Sequence, residues 1–303
     1  MDRLTIDAAP RTLIEGAVPV SALGWGMWRY HDDDVVAATA RSMAALETGI
    51  TLFDTADIYG FGHPHGFGAA EALFGRVLAA NPGLRDRIVL ATKGGILPPI
   101  PYWARGERLV ECCEASLKRL GVDCIDLYQI HRPDLLAHPA ELAAALDKLR
   151  QQGKIKAAGV SNYTPAQVAA LAAHMPFKLT SIQPEFSPAY VDPLFDGVLD
   201  QALERDLAVL TWSPLGGGDL LGEPKDERAA AVIAVLDKIA SRQGVGRAAV
   251  IYAWAMAHPA RPIPLVGSQT PARIREAAEA FKLEMSGEDW YAVLVAARGK
   301  PMP

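Results

Sequence analysis

The sequence predicts an α/β fold, a (β/α)8 TIM barrel with an N-terminal β-hairpin and an extra C-terminal helix. The chain has 303 residues, which suits one barrel of about 250 residues with additions. Short apolar or β-branched runs alternate with longer amphipathic runs along the chain. No Pro/Gly/Ser-rich linker divides it, so residues 1–303 are expected to form a single domain. An open doubly wound sheet is the alternative, but no Gly-x-Gly-x-x-Gly follows an early strand.

Eight apolar or β-branched runs are the predicted strands. They lie at residues 21–27, 51–54, 88–92, 125–130, 157–161, 181–184, 208–212 and 264–266. The preceding stretch, RTLIEGAVPVSALG at residues 11–24, is typical of a short hairpin that turns at Glu15 and Gly16. A hairpin at this position is expected to close the bottom of the barrel.

Amphipathic runs between these strands are the predicted helices. They cover residues 35–48, 69–78, 106–120, 140–152, 193–205 and 229–242, and three more begin near residues 164, 270 and 286. Two of them end at Gly121 and Gly153, where a helix C-cap favours glycine. Thr-Pro pairs open the helices near 164 and 270, and the stretch from Ser286 to Asp289 is typical of a capping box.

Composition excludes several classes of function. The net charge is −5 and no block of Lys or Arg occurs, so nucleic acid and anionic membranes are not expected partners. The longest apolar stretches, such as residues 248–257, are far shorter than a membrane span, and the first residues contain no apolar run of signal-peptide length. The three cysteines lack zinc-site spacing, which favours reduced thiols, a cytoplasmic protein and no metal.

Polar residues follow three successive predicted strands. Asp54, Lys93 and His131 are separated by 39 and 38 residues, the length of one strand-helix unit, and Tyr59 follows Asp54 in a glycine-rich loop. The carboxyl ends of barrel strands meet at one mouth, so these side chains are expected to converge. Each alone has an ordinary explanation, such as a surface ion pair, a structural histidine or a rim aromatic. Four together are difficult to explain as packing, because unpaired buried polar groups cost free energy.

The motifs at these strand ends resemble those of the aldo-keto reductase superfamily, and its bacterial, uncharacterised-oxidoreductase branch in particular. They are LFDTADIYG, ATKGG, LYQIHRPD, GVSNYTP, IQPEFSP, WSPLGGG and PLVGSQTPARIREA, and the similarity extends from the hairpin to about residue 285. The resemblance implies reversible reduction of an aldehyde or ketone by a nicotinamide cofactor. In that reaction Tyr59 would donate the proton, and Lys93 would lower its pKa. Asp54 would hold Lys93, and His131 would orient the substrate oxygen.

The resemblance also implies a nicotinamide site. Ser161, Asn162 and Gln183 would form hydrogen bonds with the carboxamide. Trp212 would stack on the nicotinamide ring at a position where the family often has tyrosine, and the indole offers a larger face for the same contact.

Further positions match the phosphate-binding and adenosine-binding segments of the family. Those expected along the diphosphate and the adenosine are Ser213, Leu215, Gly217, Gly267, Ser268, Gln269 and Glu276. Arg273 matches the arginine that meets the 2′-phosphate of NADPH, which makes NADPH/NADP+ the expected cofactor. The family usually has a Lys or Arg shortly before that arginine, and Ser268-Gln269 has none, so NADH is kept as an alternative.

The segment 61–68, FGHPHGFG, is longer than in common relatives. It is expected to overhang the mouth through Phe61 and to shape substrate choice. Trp28 and Trp103 are further candidate walls of a substrate pocket, which would favour an apolar or aromatic carbonyl over a charged sugar. The alternative for these aromatic residues is surface packing of long loops. A metal site at His63 and His65 is disfavoured, since two histidines without a third ligand are a weak signal. The expected partner is a small-molecule carbonyl compound, and the oligomeric state is left open, with a monomer plausible.

The sequence leaves two alternative functions to consider. A catalytically slow, cofactor-sensing regulatory subunit could use the same barrel, but the four catalytic positions are intact. A metal-dependent isomerase or hydrolase lacks the carboxylate and histidine clusters that it would need.

Overall fold

The computed structural model describes residues 3–303 and shows a closed barrel of eight parallel strands. The strands are β1 Arg3–Leu4, β2 Gly24–Gly26, β3 Leu52–Asp54, β4 Val89–Gly94, β5 Ile125–Ile130, β6 Ile155–Ser161, β7 Ser181–Gln183, β8 Ala208–Thr211, β9 Ile263–Val266 and β10 Met285–Ser286. Strands β2 to β9 form the barrel in chain order, and β1 pairs with β10 outside it. The predicted (β/α)8 barrel is therefore confirmed.

Ten α-helices accompany these strands. They are α1 Val35–Glu47, α2 Ala69–Ala80, α3 Glu107–Leu120, α4 Pro139–Gln151, α5 Pro165–Ala172, α6 Val198–Arg205, α7 Glu227–Gln243, α8 Arg247–Met256, α9 Pro271–Glu276 and α10 Gly287–Arg298. Among residues 3–303, every helix is too short or too polar to span a lipid bilayer.

The helix predicted over 193–205 begins later than expected. A 3-10 turn occupies Asp192–Leu194, and α6 starts at Val198, whose N–H donates to the Asp196 carboxylate (2.9 Å). Helix α8 was not predicted, because all its residues from Ala249 to Met256 are buried and leave no polar face to reveal a helical period.

The extra C-terminal helix packs against α8 through two tryptophans. Trp254 and Trp290 stack with ring centroids 5.4 Å apart. The Trp254 indole N–H donates to the Trp290 carbonyl (3.1 Å), and the Trp290 indole N–H donates to the Trp254 carbonyl (3.0 Å). Both buried donors are thus satisfied, which is what a buried indole requires.

The barrel interior consists of an apolar floor and a polar layer above it. Alternate residues of a strand face inward, so Leu52 in the floor is followed by Asp54 in the polar layer. The floor is one apolar cluster of Ile14, Val20, Leu52, Val89, Ala91, Leu127, Ala157, Leu210, Ile263 and Leu265. Strands β6 and β7 lie too close together at Gly159 for a larger residue, because a Cβ atom there would lie 2.0 Å from the Ser181 hydroxyl.

The predicted N-terminal hairpin is present as a turn closed by one antiparallel bridge. Arg11 and Val20 exchange two backbone hydrogen bonds of 2.8 Å. Ile14 and Val20 are buried in the floor cluster, so the turn fills the bottom of the barrel as expected.

Candidate active site

An ion pair between Asp54 and Lys93 is the centre of the polar layer. Asp54 ends β3, and Lys93 lies near the end of the neighbouring strand β4. The Lys93 ammonium donates to Asp54 Oδ2 (2.5 Å) and to the Thr55 carbonyl (2.9 Å), and both charged side chains are buried. Burial lowers the pKa of Lys93, but Asp54 and Tyr59 outweigh burial and raise it above its ordinary value. Lys93 therefore stays a cation.

Tyr59 lies directly beside this cation. The Lys93 Nζ atom is 5.1 Å from the centre of the Tyr59 ring, and Tyr59 is 8% exposed. Within residues 3–303 the ring packs edge-on against two aromatic side chains, Trp28 (centroids 5.0 Å apart) and His131 (5.9 Å). The structure thus brings together all four residues that the sequence predicted for the catalytic centre.

The pKa of Tyr59 departs from the sequence-based expectation. Burial raises the pKa of the phenol, and the charge of Lys93 opposes this rise without cancelling it, while Asp54 raises it further. The expected effect of the lysine is present, but the expected net decrease is wrong, because desolvation of a buried phenolate is the larger contribution. The phenol is consequently protonated at neutral pH.

His131 is a neutral imidazole in this environment. Burial lowers its pKa well below the ordinary value, and the nearby charges of Lys93 and Arg132 lower it further. Its Nδ1 atom is buried without a hydrogen-bond partner among the described residues. A neutral imidazole carries one N–H, so His131 can donate a single hydrogen bond to a bound molecule.

Two glutamine side chains bind the carboxylate oxygen of Asp54 that Lys93 does not use. Gln183 and Gln129 donate to Asp54 Oδ1 (3.0 and 3.3 Å), while Lys93 occupies Oδ2. Gln129 was not singled out from the sequence. A signal existed in its position, since a glutamine at an inward-facing site of an apolar strand is unusual.

The residues predicted to hold the nicotinamide form a connected group. The Ser161 hydroxyl donates to the Gln183 carbonyl (2.8 Å) and accepts from Asn162 Nδ2 (2.8 Å). Asn162 has φ of 59°, and its Oδ1 accepts from the Trp212 indole N–H (2.9 Å). The left-handed backbone at Asn162 suits asparagine, which tolerates that region better than most residues. The amide oxygen of Asn162 thus accepts from Trp212 in this structure, and the predicted hydrogen bond of Asn162 with a carboxamide stays a prediction.

The loops after β8 and β9 carry the other predicted cofactor residues. After β8, Ser213 and Gly217 have positive φ values of 49° and 70°, and a Cβ atom added at Gly217 would meet nothing within 4 Å. After β9, the Gln269 side chain donates to the Gly26 carbonyl (3.3 Å), and its Oε1 is buried without a partner among the described residues.

The remaining positions of these loops vary in exposure. Leu215, Gly267 and Ser268 are half-buried, whereas Arg273 and Glu276 are exposed on α9. These segments thus carry a glycine backbone with positive φ, an unsatisfied amide oxygen and an exposed arginine.

Comparison with known proteins assigns the chain to a family. The model of the Aldo/keto reductase family matches residues 21–294. The chain belongs to the aldo/keto reductase family. It is an oxidoreductase, and members of this family act on small-molecule carbonyl compounds with nicotinamide cofactors.

Several relatives of this reductase cover nine-tenths or more of its length. A protein of Novosphingobium aromaticivorans named 6-dehydroglucose reductase is 51% identical over all of both chains. A 6-dehydroglucose reductase of Agrobacterium fabrum is 37% identical over 96% of this chain and 98% of its own. The oxidoreductase YdhF of Escherichia coli is 36% identical over 92% and 94%.

A solved structure shows the same fold. The thermostable aldo-keto reductase Tm1743, in complex with the inhibitor epalrestat, has a TM-score of 0.80 and covers 95% of this chain and 99% of its own. At 23% sequence identity the comparison concerns the barrel architecture alone.

The three predicted pocket walls of this reductase differ in position. Trp28 packs on Tyr59 and is 56% exposed, so it lies at the rim directly beside the Tyr59 phenol. Phe61 is also mostly exposed, and Trp103 is half-buried with the Arg105 guanidinium 5.4 Å from its ring centre. Neither ring packs against Tyr59 within the described residues, so their roles stay predictions.

The loop at residues 61–68 is tied to the loop after β2 by two histidines. His63 stacks on His31 with ring centroids 3.8 Å apart. His31 was not singled out from the sequence, because a lone histidine 32 residues upstream gives no pattern. Residues 3–303 contain no cluster of three or more His, Cys, Asp or Glu side chains that could hold a metal ion.

Two charged residues at the mouth of the reductase were also missed. Arg132, next to His131, places its guanidinium 5.5 Å from the Trp212 ring centre. Glu185 follows β7, and burial raises its pKa while the Arg132 charge lowers it. Both side chains are half-buried, and neither forms an ion pair within residues 3–303. They are therefore available to a polar ligand.

Proposed function

We propose that this reductase converts an aldehyde to an alcohol with NADPH, and that Tyr59 donates the proton. The observation that carries the proposal is the buried Lys93 ammonium, bound to Asp54 and 5.1 Å from the Tyr59 ring centre, with neutral His131 on another side of the same ring. Ketones are a second group of substrates for the same chemistry.

The proton-transfer step follows from these positions. A hydride for the carbonyl carbon would come from bound NADPH, and negative charge would then develop on the carbonyl oxygen. His131 donates its single N–H to that oxygen and orients it. Tyr59, protonated at neutral pH because burial raises its pKa, releases its proton to the oxygen. Lys93 stabilises the phenolate that remains, and Asp54 keeps Lys93 charged and in place.

The residues around the mouth fit a dinucleotide. Gly217 and Gly218 have positive φ and open space where a Cβ would be, so their backbone permits close approach of a phosphate. The unsatisfied Gln269 Oε1 can accept a hydrogen bond. Ser161, Asn162, Gln183 and Trp212 would contact the nicotinamide, and the segments that include Ser213, Leu215, Gly267, Ser268 and Glu276 would contact the remainder.

Arg273 supports a preference for NADPH over NADH. It is exposed on α9 and forms no ion pair within residues 3–303, whereas Arg275 nearby is bound to Glu47 (2.8 Å). A guanidinium without a carboxylate partner is well suited to a 2′-phosphate. Because residues 268–272 contain no cation, NADH is expected to bind more weakly but measurably.

A sugar aldehyde is the proposed substrate class. The support is the name shared by two relatives, 6-dehydroglucose reductase, together with the half-buried charges of Arg132, which follows His131 in the chain, and of Glu185, whose pKa the Arg132 charge lowers. Charged groups without partners suit the hydroxyl groups of a sugar, and the exposed face of Trp28 suits its C–H face. This proposal revises the sequence-based preference for an apolar or aromatic carbonyl.

The test is an activity screen with matched tyrosine variants. Sugar aldehydes oxidised at carbon 6, aromatic aldehydes and ketones are offered with NADPH and with NADH. Tyr59→Phe is expected to lower kcat by about 10²- to 10⁴-fold, the usual contribution of general acid catalysis, without weakening NADPH binding. Tyr291→Phe, at an exposed position of α10, is the control and should retain full activity.

Other outcomes would contradict the proposal in separate ways. Near-normal rates for Tyr59→Phe would remove the proton-donor role. Tight NADPH binding by the wild type with no turnover of any carbonyl would instead support the cofactor-sensing alternative.

A further inference from the structure

Two imidazole rings join the loop after β2 to segment 61–68. His31 follows β2 and His63 follows β3, and their rings stack with centroids 3.8 Å apart and planes 23° apart. A second aromatic contact joins the same two stretches of chain, because Trp28 packs edge-on against Tyr59 with centroids 5.0 Å apart. The two loops therefore meet through two ring pairs, one of which contains the proposed proton donor.

The histidine stack is the contact that holds segment 61–68 to the loop after β2. Among residues 3–303 the hydrogen bonds of the segment stay between residues 58 and 72, as in the donation from the Gly66 N–H to the His63 carbonyl (3.0 Å). Gly62 and Gly66 have positive φ values of 82° and 75°, which glycine adopts without steric cost. A segment with local bonds and several glycines can move when its one ring stack is lost.

Each stacked histidine follows an exposed aromatic residue. Trp28 is 56% exposed and precedes His31 by three residues, and Phe61 is 54% exposed and precedes His63 by two. The stack therefore sets the distance between two aromatic side chains, of which one already packs on Tyr59.

Charge decides whether the two rings can stay stacked. Burial lowers the pKa of His31, and the charges of His63 and His65 lower it further, while Asp32 and a backbone hydrogen bond raise it. At neutral pH the His31 ring is therefore neutral and can stack. Two protonated imidazole rings at the same separation repel each other.

The carboxylates of the loop after β2 are already engaged. Asp32 accepts two hydrogen bonds from the Arg41 guanidinium (2.6 and 3.0 Å). Asp33 is paired with Arg76, and Asp34 caps the first turn of α1. These acids therefore offset little of the repulsion between two charged histidines.

We propose that His31 and His63 are positioning residues, whose ring stack holds segment 61–68 beside Trp28 at the substrate entrance and whose joint protonation releases it. The inference rests on the proposed function, which places the carbonyl substrate at Tyr59. It adds two residues that contact neither the cofactor nor the reacting atoms. Loss of the stack should therefore raise KM for the carbonyl substrate and leave kcat close to the wild-type value.

The test measures kcat and KM for a sugar aldehyde oxidised at carbon 6 with saturating NADPH. Assays at about pH 7.5 and about pH 5.5 lie on either side of the ordinary pKa of histidine. KM of the wild type should be about two- to tenfold higher at the lower pH, the range that corresponds to the loss of one aromatic pair.

Two variants at position 63 separate stacking from charge. His63→Ala removes the ring, so its KM should be about two- to tenfold above the wild-type value at the higher pH. His63→Phe keeps a ring that can stack on His31 but cannot be protonated, so its KM should match the wild type at the higher pH and stay below it at the lower pH. His174→Ala, at an exposed histidine whose ring lies 5.6 Å from that of His138, is the control and should match the wild type at both pH values.

Hydrogen exchange of residues 58–72 without any ligand tests the contact itself. A released segment exposes its local hydrogen bonds to solvent. Exchange should therefore be faster in His63→Ala than in His63→Phe at both pH values. The wild type should exchange faster than His63→Phe at the lower pH alone.

Three kinetic results would overturn the inference. An unchanged KM of His63→Ala at the higher pH would remove the positioning role. An equal increase in KM for His63→Phe and His63→Ala would show that the imidazole binds the substrate directly. An equal increase on acidification for the wild type and His63→Phe would remove the role of protonation.

Failure of the proposed function would be distinguishable from these results. A wild type that turns over no carbonyl compound would reject the proposed function and the substrate role of the stack together. The exchange rates would still show whether the two histidines hold the segment.

Discussion

His131 shows at the residue scale how burial sets a protonation state. The side chain is 9% exposed, and burial and two neighbouring cations lower its pKa well below the ordinary value. The unfolded chain has a histidine with a pKa near 6.5. At a pH between the lowered pKa of the folded state and the ordinary pKa of the unfolded state, the unfolded chain binds a proton that the folded chain does not. Acidification in this range therefore favours unfolding.

We predict that stability falls as the pH decreases below about 6.5, and that His131 accounts for part of this loss. Removal of the histidine in His131→Gln should flatten the pH dependence of the free energy of unfolding by up to about 1.4 kcal/mol per pH unit. Urea unfolding of both proteins at several pH values measures the difference. Burial also lowers the pKa values of His31 and His258. Both residues are present in the two proteins, so their contributions cancel when the two pH dependences are subtracted. Parallel curves would contradict the prediction.

The convergence of the proposed catalytic residues could be predicted from the sequence, because a regular architecture places them. Asp54, Lys93 and His131 are spaced by about the length of one strand-helix unit. This spacing alone predicted that the three side chains meet at one end of the barrel. Gln129 and His31 were missed for different reasons. Gln129 lies among the inward-facing residues of a strand and forms its hydrogen bond with Asp54 there. His31 contacts His63 in a loop 32 residues away, which no local pattern reveals.

At the element scale, one buried carboxylate connects two helices to the strand that carries Lys93. Glu71 on α2 is fully buried. It accepts a hydrogen bond from Thr92 of β4 (2.6 Å) and from Arg119 of α3 (2.7 Å). Thr92 directly precedes Lys93, so this contact fixes the backbone from which the Lys93 side chain projects.

Glu71→Ala is expected to destabilise the protein by about 3–5 kcal/mol, because it leaves Arg119 and Thr92 without their buried partner. Glu114→Ala is the control on the neighbouring helix α3. It removes an exposed pair with Lys154 (2.6 Å) and should cost less than about 1 kcal/mol. Urea denaturation of both variants measures the comparison, and similar losses in the two would show that the buried carboxylate has no special role.

The elements themselves were predictable to different degrees. Strands with clear alternation and helices with glycine or Thr-Pro boundaries were found close to their observed positions, as α5 and α9 show. Helix α8 was not, since a helix buried on all sides has no amphipathic period. The pairing of β1 with β10 joins two-residue strands 281 positions apart, which is too short and too distant for any sequence signal.

At the scale of the whole molecule, the barrel separates stability from chemistry along its axis. The floor is apolar and includes Ile14 and Val20 from the N-terminal turn, while Asp54 and Lys93 lie in the layer above. The floor cluster packs without any of the four proposed catalytic side chains. Changes in the floor should therefore alter folding more than turnover.

We predict that Ile14→Ala destabilises the protein by about 2–5 kcal/mol, the usual cost of a cavity at a buried isoleucine. Because the floor lies away from the mouth, kcat at a temperature where the variant is folded should stay within about twofold of the wild type. Val36→Ala, at a site that is 81% exposed, is the control and should change stability by less than about 0.5 kcal/mol. A large decrease in kcat for Ile14→Ala would show that the two layers are coupled.

The filled floor also determines from which end ligands can enter the barrel. Since residues 11–20 occupy the lower end of the barrel, molecules can reach the polar layer only from the opposite end. Under the proposed function the nicotinamide ring would lie deeper in that entrance than the sugar. A compulsory order of arrival follows, in which the nucleotide enters first and can depart only after the alcohol has diffused away.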